Sequence, residues 1–183
     1  ALYIIAAQLW SGAFGLRPQK VAQIRRAVAA DAEGMGRVLR EIIAKTGRER
    51  ASDPATLIAR YIEPPNGILC SVALDSAGEA MGFQSLIRAE AGNPYNVPPG
   101  WGIIGTHISP RAHRQGVGKA LFACSLAAAI DADVTLIDAH IPADNPAGLA
   151  YYSAMGFTTY REPEGVVQKV FEVTPKTPPG SGS

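Results

Sequence analysis

The stretch from Trp101 to Ile141 sets the strongest limit on the fold. A strand-like run, Trp101–Ile108, passes through a short basic turn into an apolar run of helical length, Gly116–Ile130, and a second strand-like run follows at Thr135–Ile141. Strand, helix and strand in that order form a crossover unit whose two strands lie parallel in one sheet. Ligands of such units bind outside the carboxyl ends of the strands. Chemistry is therefore to be sought after Ile108 and after Ile141.

The elements on either side fill out an α/β domain with a mixed sheet. Val21–Arg26 reads as a short strand, and Asp31 opens a helix in which Met35, Val38, Leu39, Ile42 and Ile43 recur at helical spacing up to Gly47. Asp53 and Pro54 start a second helix running to Ile62. Gly67–Leu74 and Ala80–Arg88 flank the turn Asp75-Ser76-Ala77-Gly78 as a hairpin. The segment Ala91–Gly100, with three prolines, reads as a loop. A helix over Pro146–Met155 with Gly156 as its cap, then strands near Phe157–Tyr160 and Val166–Val173, complete the order β-α-α-β-β-β-α-β-α-β-β.

At 183 residues the chain suits one domain. With 47% hydrophobic and 18% charged residues, it has the apolar content that disordered chains lack. Seventeen basic and 16 acidic residues leave a net charge of +1, so no global field draws the chain to nucleic acid. Cys70 and Cys124 are too few for a disulfide framework, and a reducing, cytoplasmic setting is expected. The first 16 residues carry no charge and hold 12 apolar residues, short for a membrane-spanning helix and without a basic leader region. Residues 1–20 are accordingly expected to stand outside the domain, residues 21–173 to form it, and residues 174–183 to be a linker-like tail.

Neutral charge overall conceals a local bias. Residues 91–130 contain no Asp or Glu, yet hold Arg111, Arg114 and Lys119. These flank the turn His113-Arg114-Gln115-Gly116-Val117-Gly118 at a helix start, where unpaired backbone N–H groups and two glycines suit a phosphate. The turn is not a P-loop, which needs glycine at His113 and Ser or Thr at Ala120; nor a dinucleotide fingerprint, which needs glycine at Leu121. His107, His113 and His140 with the two distant cysteines lack the spacing of a metal site, so no metal is expected.

This turn resembles the Gln/Arg-x-x-Gly-x-Gly/Ala acyl-CoA signature of the GNAT superfamily of N-acetyltransferases, with His113 in place of the usual Arg or Gln. A second, independent segment, Asn145 to Phe157, resembles that family's Asn-x6-Tyr-x3-Gly-Phe pattern, with Tyr152 at the tyrosine. The resemblance covers roughly Val21–Val173. It implies a single α/β domain: a mixed, mostly antiparallel sheet of six to seven strands, about four flanking helices, and central parallel strands that splay apart. It also implies acetyl-CoA as donor, a primary amine as acceptor, and a possible homodimer. The run Ile141-Pro142-Ala143-Asp144-Asn145 is similar to the phosphinothricin-acetyltransferase-like branch, which acetylates small amino acids and their analogues.

By that resemblance the pyrophosphate sits on Arg114, Gln115, Gly116, Val117, Gly118 and Lys119 beside His113, and the pantetheine arm passes Asn145, which can also cap its own helix. The Ile108 amide is a candidate donor to the thioester oxygen. Tyr152 is the expected general acid for the departing thiolate. His107 is the first candidate for the base, since Trp101–Ile108 lacks the carboxylate many relatives carry; His140, with Asp138 two residues back, is the other, and ordered water a third. Phe83, Gln84, Tyr95, Asn96 and Trp101 are expected around the acceptor. A protein N-terminal or lysine acetyltransferase, a non-catalytic acyl-CoA-binding module and a membrane-associated acyltransferase are the competing readings.

Overall fold

The computed structural model describes residues 23–174. The apolar run 1–16 and the tail beyond residue 174 lie outside them.

One seven-stranded sheet organises the chain, in the order β1-β2-β3-β4-β5-β7-β6. Its strands are β1 Gln23–Arg26, β2 Gly67–Leu74, β3 Ala80–Arg88, β4 Gly102–Ile108, β5 Leu136–Pro142, β6 Thr158–Arg161 and β7 Val166–Glu172. The four helices are α1 Ala32–Thr46, a short α2 Pro54–Leu57, α3 Val117–Asp131 and α4 Pro146–Ala154. This is the expected order, with element ends moved by a residue or two. Where one helix was expected over Asp53–Ile62, α2 gives way to a wider π turn at Ile58–Ile62. Asp31 also acts differently from the expected cap: its carboxylate takes the Val28 amide at 2.8 Å and pairs with Arg25, bracing the turn before α1.

Both faces of the sheet are covered, which is why β3 is buried continuously from Ala80 to Leu86 instead of alternating. On one face, Met35, Val38 and Leu39 of α1 and Leu57 of α2 pack with Phe83. On the other, Phe122 of α3 and Tyr152 of α4 pack with Leu86, Ile104, Ile137, Ile141 and Phe157. Each large side chain so buried contributes roughly 1.5–3 kcal/mol.

The feature that positions a site is the meeting of β4 and β5. Among the described strands they are the one parallel pair, and their pairing stops after Gly102↔Ile137, Ile103↔Asp138 and Ile104↔Ala139. Beyond that point each strand keeps only its outer neighbour: β4 stays on β3 as far as Ile108↔Gly82, and β5 stays on β7 as far as Pro142↔Val166. The sheet therefore divides at the carboxyl ends of its two central strands. Backbone groups on the inner edges lose their ladder partners there and need others.

Candidate active site

The opening between β4 and β5 is bounded by groups from both sheet faces. Ser109 donates its amide to Met81 at 2.9 Å, so Ser109 faces β3. In an antiparallel ladder alternate residues turn their N–H the opposite way, and the amides of Ile108 and Thr106 therefore point into the opening.

At the end of β4 the chain makes a short 3-10 turn, Pro110–Ala112, and enters α3. Arg114 and Gly116 both have positive φ, 60° and 75°, a backbone conformation that anion-binding turns share. The two glycines serve different ends. Gly116 supplies the left-handed cap; Gly118 supplies room, since a Cβ there would lie 2.6 Å from Tyr151 Cε2 and 2.9 Å from Ile108 Cδ1. Of the local cations, Arg111 is engaged by Glu41 and Asp75 and donates to the Ala80 carbonyl. Arg114 and Lys119 have no carboxylate partner among the described ion pairs. The acid-free stretch seen in the sequence is thus partly neutralised by distant acids, and its free charge is at the helix start.

Across the opening, the Asn145 side chain caps α4 by accepting the Gly148 amide at 3.1 Å. This fixes the helix that carries Tyr152. The Tyr152 ring is buried against Tyr151 and Phe157, and its hydroxyl lies 2.9 Å from Thr106 Oγ1. Burial raises its pKa well above the ordinary phenol range, against the opposing Thr106 hydrogen bond. Tyr152 is therefore held as the neutral, proton-bearing phenol.

The other face of β4 and β5 is built from residues brought together from six segments. His107 follows Thr106 and so projects to the opposite side, where its ring meets Phe83 at 4.7 Å and Tyr61 at 5.4 Å. Arg50 Nη1 stands 3.2 Å from His107 Nδ1. A guanidinium only donates, so Nδ1 accepts and the proton of the neutral ring is on Nε2. Burial first, then Arg50 and Arg60, push the His107 pKa down to about 3. His107, expected as a base, thus gives Arg50 the lone pair a base would use. His140 is half-buried, its ring 5.1 Å from Tyr95, and its Nδ1 is buried without a hydrogen-bond partner among the described residues.

Asp138 is fully buried on the same face; its Oδ1 accepts from the Tyr160 hydroxyl at 2.7 Å and from Gln168 at 3.1 Å. Burial raises its pKa to about 6, against those two hydrogen bonds and Arg161. The Arg161 guanidinium donates to the Tyr95 and Asn96 carbonyls at 3.0 and 2.9 Å, tying the loop before β4 to β6. Beneath that loop, beside the amino-terminal half of β4, runs a cleft of about 440 Å³ lined by Arg60, Glu90, Asn93, Tyr95, Ile87 and Ile103. A larger, more open cleft bordered by Arg26, Arg88 and Asp131 lies at the amino end of β4, away from the opening.

Of the residues expected around an acceptor, Tyr95 lines this cleft, and Trp101 packs on Tyr160 at 5.8 Å beside it. Phe83 and Gln84 are both fully buried. Phe83 belongs to the α1 core, and the Gln84 amide is taken by Thr106, Tyr151 and Ser125. Arg50, Arg60, Tyr61 and Arg161 had no signal in the sequence: each is an ordinary residue that becomes part of a site only through the fold.

The model of the acetyltransferase (GNAT) family matches residues 37–157 of the chain, a span that begins within α1 and takes in the opening and α4. The chain belongs to the GNAT family.

Solved structures with the GNAT fold superpose over most of it. A phosphinothricin acetyltransferase from Sinorhizobium meliloti, in complex with acetyl-CoA, is 22% identical with a TM-score of 0.69, covering 88% of this chain and 94% of its own. YncA from Salmonella typhimurium, solved with its cofactor acetyl-CoA, is 18% identical with a TM-score of 0.64, covering 88% and 99%. A GNAT acetyltransferase from Kribbella flavida is 19% identical with a TM-score of 0.67, covering 85% and 99%. At these identities the likeness concerns the fold. No curated protein matches the chain in sequence. The seven-stranded mixed sheet, four helices and parted parallel strands are those implied by the sequence resemblance to the GNAT superfamily.

Proposed function

We propose that this GNAT chain transfers the acetyl group of acetyl-CoA to the primary amine of a small molecule bearing a carboxylate, an amino acid or an analogue of one. The observation that carries the transfer is the parting of β4 and β5 beyond Ile104↔Ala139, with an anion cradle at one end and a neutral phenol, Tyr152, on one side.

In this reading the amides of Arg114–Lys119 hold the pyrophosphate and the pantetheine arm takes up unpaired backbone groups in the opening. The amine arrives from the His107 and His140 face. Its nitrogen lone pair forms the C–N bond, the thioester C=O pair moves to oxygen, and the Ile108 amide meets the growing negative charge. On collapse the C–S bond breaks with its electrons on sulfur. Tyr152 gives its proton to that sulfur, and solvent restores it. The acceptor ammonium gives one proton to His140 before attack, because His107 Nδ1 is engaged by Arg50, and the nitrogen loses one further proton to solvent as the amide forms. Attack and departure thus occur on opposite faces of β4.

The carboxylate preference follows from charge. Arg50 and Arg60 face the acceptor side without a carboxylate partner among the described ion pairs, and Arg60 lies over the Tyr61 ring at 5.5 Å on the edge of the cleft. Glu90 lines the same cleft, so an acceptor carrying both an ammonium and a carboxylate finds opposite charges there, whereas a polyamine would meet like charge at Arg60. The test compares kcat/KM for an amino acid and its decarboxylated amine in the wild type and in Arg60→Gln. The amino acid should be favoured in the wild type, and the variant should narrow the ratio at least fivefold. An equal ratio in both proteins would remove Arg60 from this role.

A further inference from the structure

A continuous hydrogen-bonded network runs behind Tyr152, and chemistry fixes its donor and acceptor directions from Gly118 as far as Thr106. It starts at Gly118, in the first turn of α3, whose carbonyl can only accept. The Tyr151 hydroxyl donates to it at 2.8 Å. With that proton committed, the Tyr151 oxygen accepts from Gln84 Nε2 at 3.1 Å. The same nitrogen lies 2.8 Å from Thr106 Oγ1. An amide nitrogen has two protons and no lone pair to offer, so one goes to Tyr151 and the other to Thr106. Gln84 Oε1 accepts from the Ser125 hydroxyl at 2.6 Å, which locks the amide in this orientation.

Thr106 Oγ1 is therefore already an acceptor, and its own proton has the Tyr152 oxygen at 2.9 Å to receive it. Leaving that proton unmatched in a part-buried site would cost free energy. Either hydroxyl can donate across this contact; in the arrangement that matches every proton, Tyr152 accepts from Thr106 and its own O–H is left for a group in the opening. With the network reversed, Tyr151 could not donate to Gly118, and the Tyr152 proton would be turned inward to Thr106.

We propose that Gln84 and Thr106 are positioning residues that orient the Tyr152 O–H toward the departing sulfur, and that they connect it to the α3 turn through Tyr151 and Gly118. The inference rests on Tyr152 being the general acid. When the C–S bond breaks, the electron pair stays on sulfur and takes the Tyr152 proton. The phenolate left behind keeps the Thr106 hydrogen bond until solvent reprotonates it. Gln84 is fully buried, so it acts through Thr106 and not by touching either substrate.

The test is a double-mutant cycle on kcat with acetyl-CoA affinity measured alongside. Thr106→Val, which removes the donor but keeps the shape, should lower kcat about 10-fold or more, within the range of acid–base contributions. Acetyl-CoA Kd should change less than twofold, and Thr106→Ser should recover most of the rate. Gln84→Met should act in the same direction as Thr106→Val. On a Tyr152→Phe background, Thr106→Val should add nothing. Thermal melts accompany each variant, and the Thr106→Ser rescue separates loss of the hydroxyl from loss of the fold. Wild-type kcat in Thr106→Val, or an equal fall with and without Tyr152, would overturn the positioning role while leaving Tyr152 as the acid. Wild-type kcat in Tyr152→Phe would overturn both.

Discussion

Arg50 stands with its guanidinium nitrogen 3.2 Å from His107 Nδ1 and donates to it, holding the histidine at the end of β4 as a neutral hydrogen-bond acceptor. The native state resists protonating this ring until about pH 3, whereas an unfolded histidine takes up its proton near pH 6.5. A depressed histidine pKa gives stability that is complete above pH 6.5 and is lost as pH falls through the window from 6.5 to about 3. Replacing His107 with Gln should remove that slope. Melting temperatures at pH 4.5 and 7.5 check it: the wild type should lose more on acidification than the variant, and equal losses would contradict the arrangement.

Asp138 acts in the opposite sense. Its native pKa of about 6 exceeds the ordinary aspartate value, so burial of the carboxyl favours folding at low pH, and that contribution is lost as pH rises from about 4 through 6. Asp138→Asn can keep the Tyr160 and Gln168 hydrogen bonds to its oxygen without carrying the titration. The melting temperature of the wild type should therefore fall relative to Asp138→Asn between pH 4 and 7 and then level. A difference independent of pH would contradict a buried, raised carboxyl.

Gly118→Ala tests the packing of α3 on α4. A methyl group 2.6 Å from the Tyr151 ring must displace it, and overpacking of this kind costs roughly 1–3 kcal/mol. Because Tyr151 also donates to the Gly118 carbonyl, its displacement should weaken both stability and turnover. Denaturant unfolding measures the first, and an unchanged midpoint would show that Tyr151 moves freely.

Tyr152→Phe keeps the ring packed against Phe157 and removes only the hydroxyl. Turnover should fall about 100-fold, with acetyl-CoA affinity kept within a factor of two. Rapid-quench measurement of thiol release gives the rate directly, and an unaltered rate would remove the general acid from the account.

The parts of the fold written in local chemistry were legible in the sequence. The stripe Met35, Val38, Leu39, the Asp53 and Asn145 caps and the turn at Gly116 each depend on neighbours a few residues away, and all stand as their spacing implies. The site was legible only in part, because its groups meet across long stretches of chain. Nothing near His107 announces that Arg50 will take its lone pair, and nothing near Arg111 announces Glu41. Gln84 looked like a polar residue available to a ligand, since strand alternation does not reveal that α3 and α4 cover its face. Asp138 was visible as a polar interruption of β5, but its partners Tyr160 and Gln168 come from the two last strands.

The most direct test of acetyl transfer at the β4–β5 opening is acetyl-CoA consumption by the wild-type protein against a panel of amino acids, their decarboxylated amines, polyamines and peptides, with products identified by mass. The account predicts stoichiometric release of CoA thiol and an N-acetylated amino acid or close analogue as the preferred product. Acetyl-CoA binding without transfer to any amine would contradict it, and so would acetylation confined to polyamines or peptides.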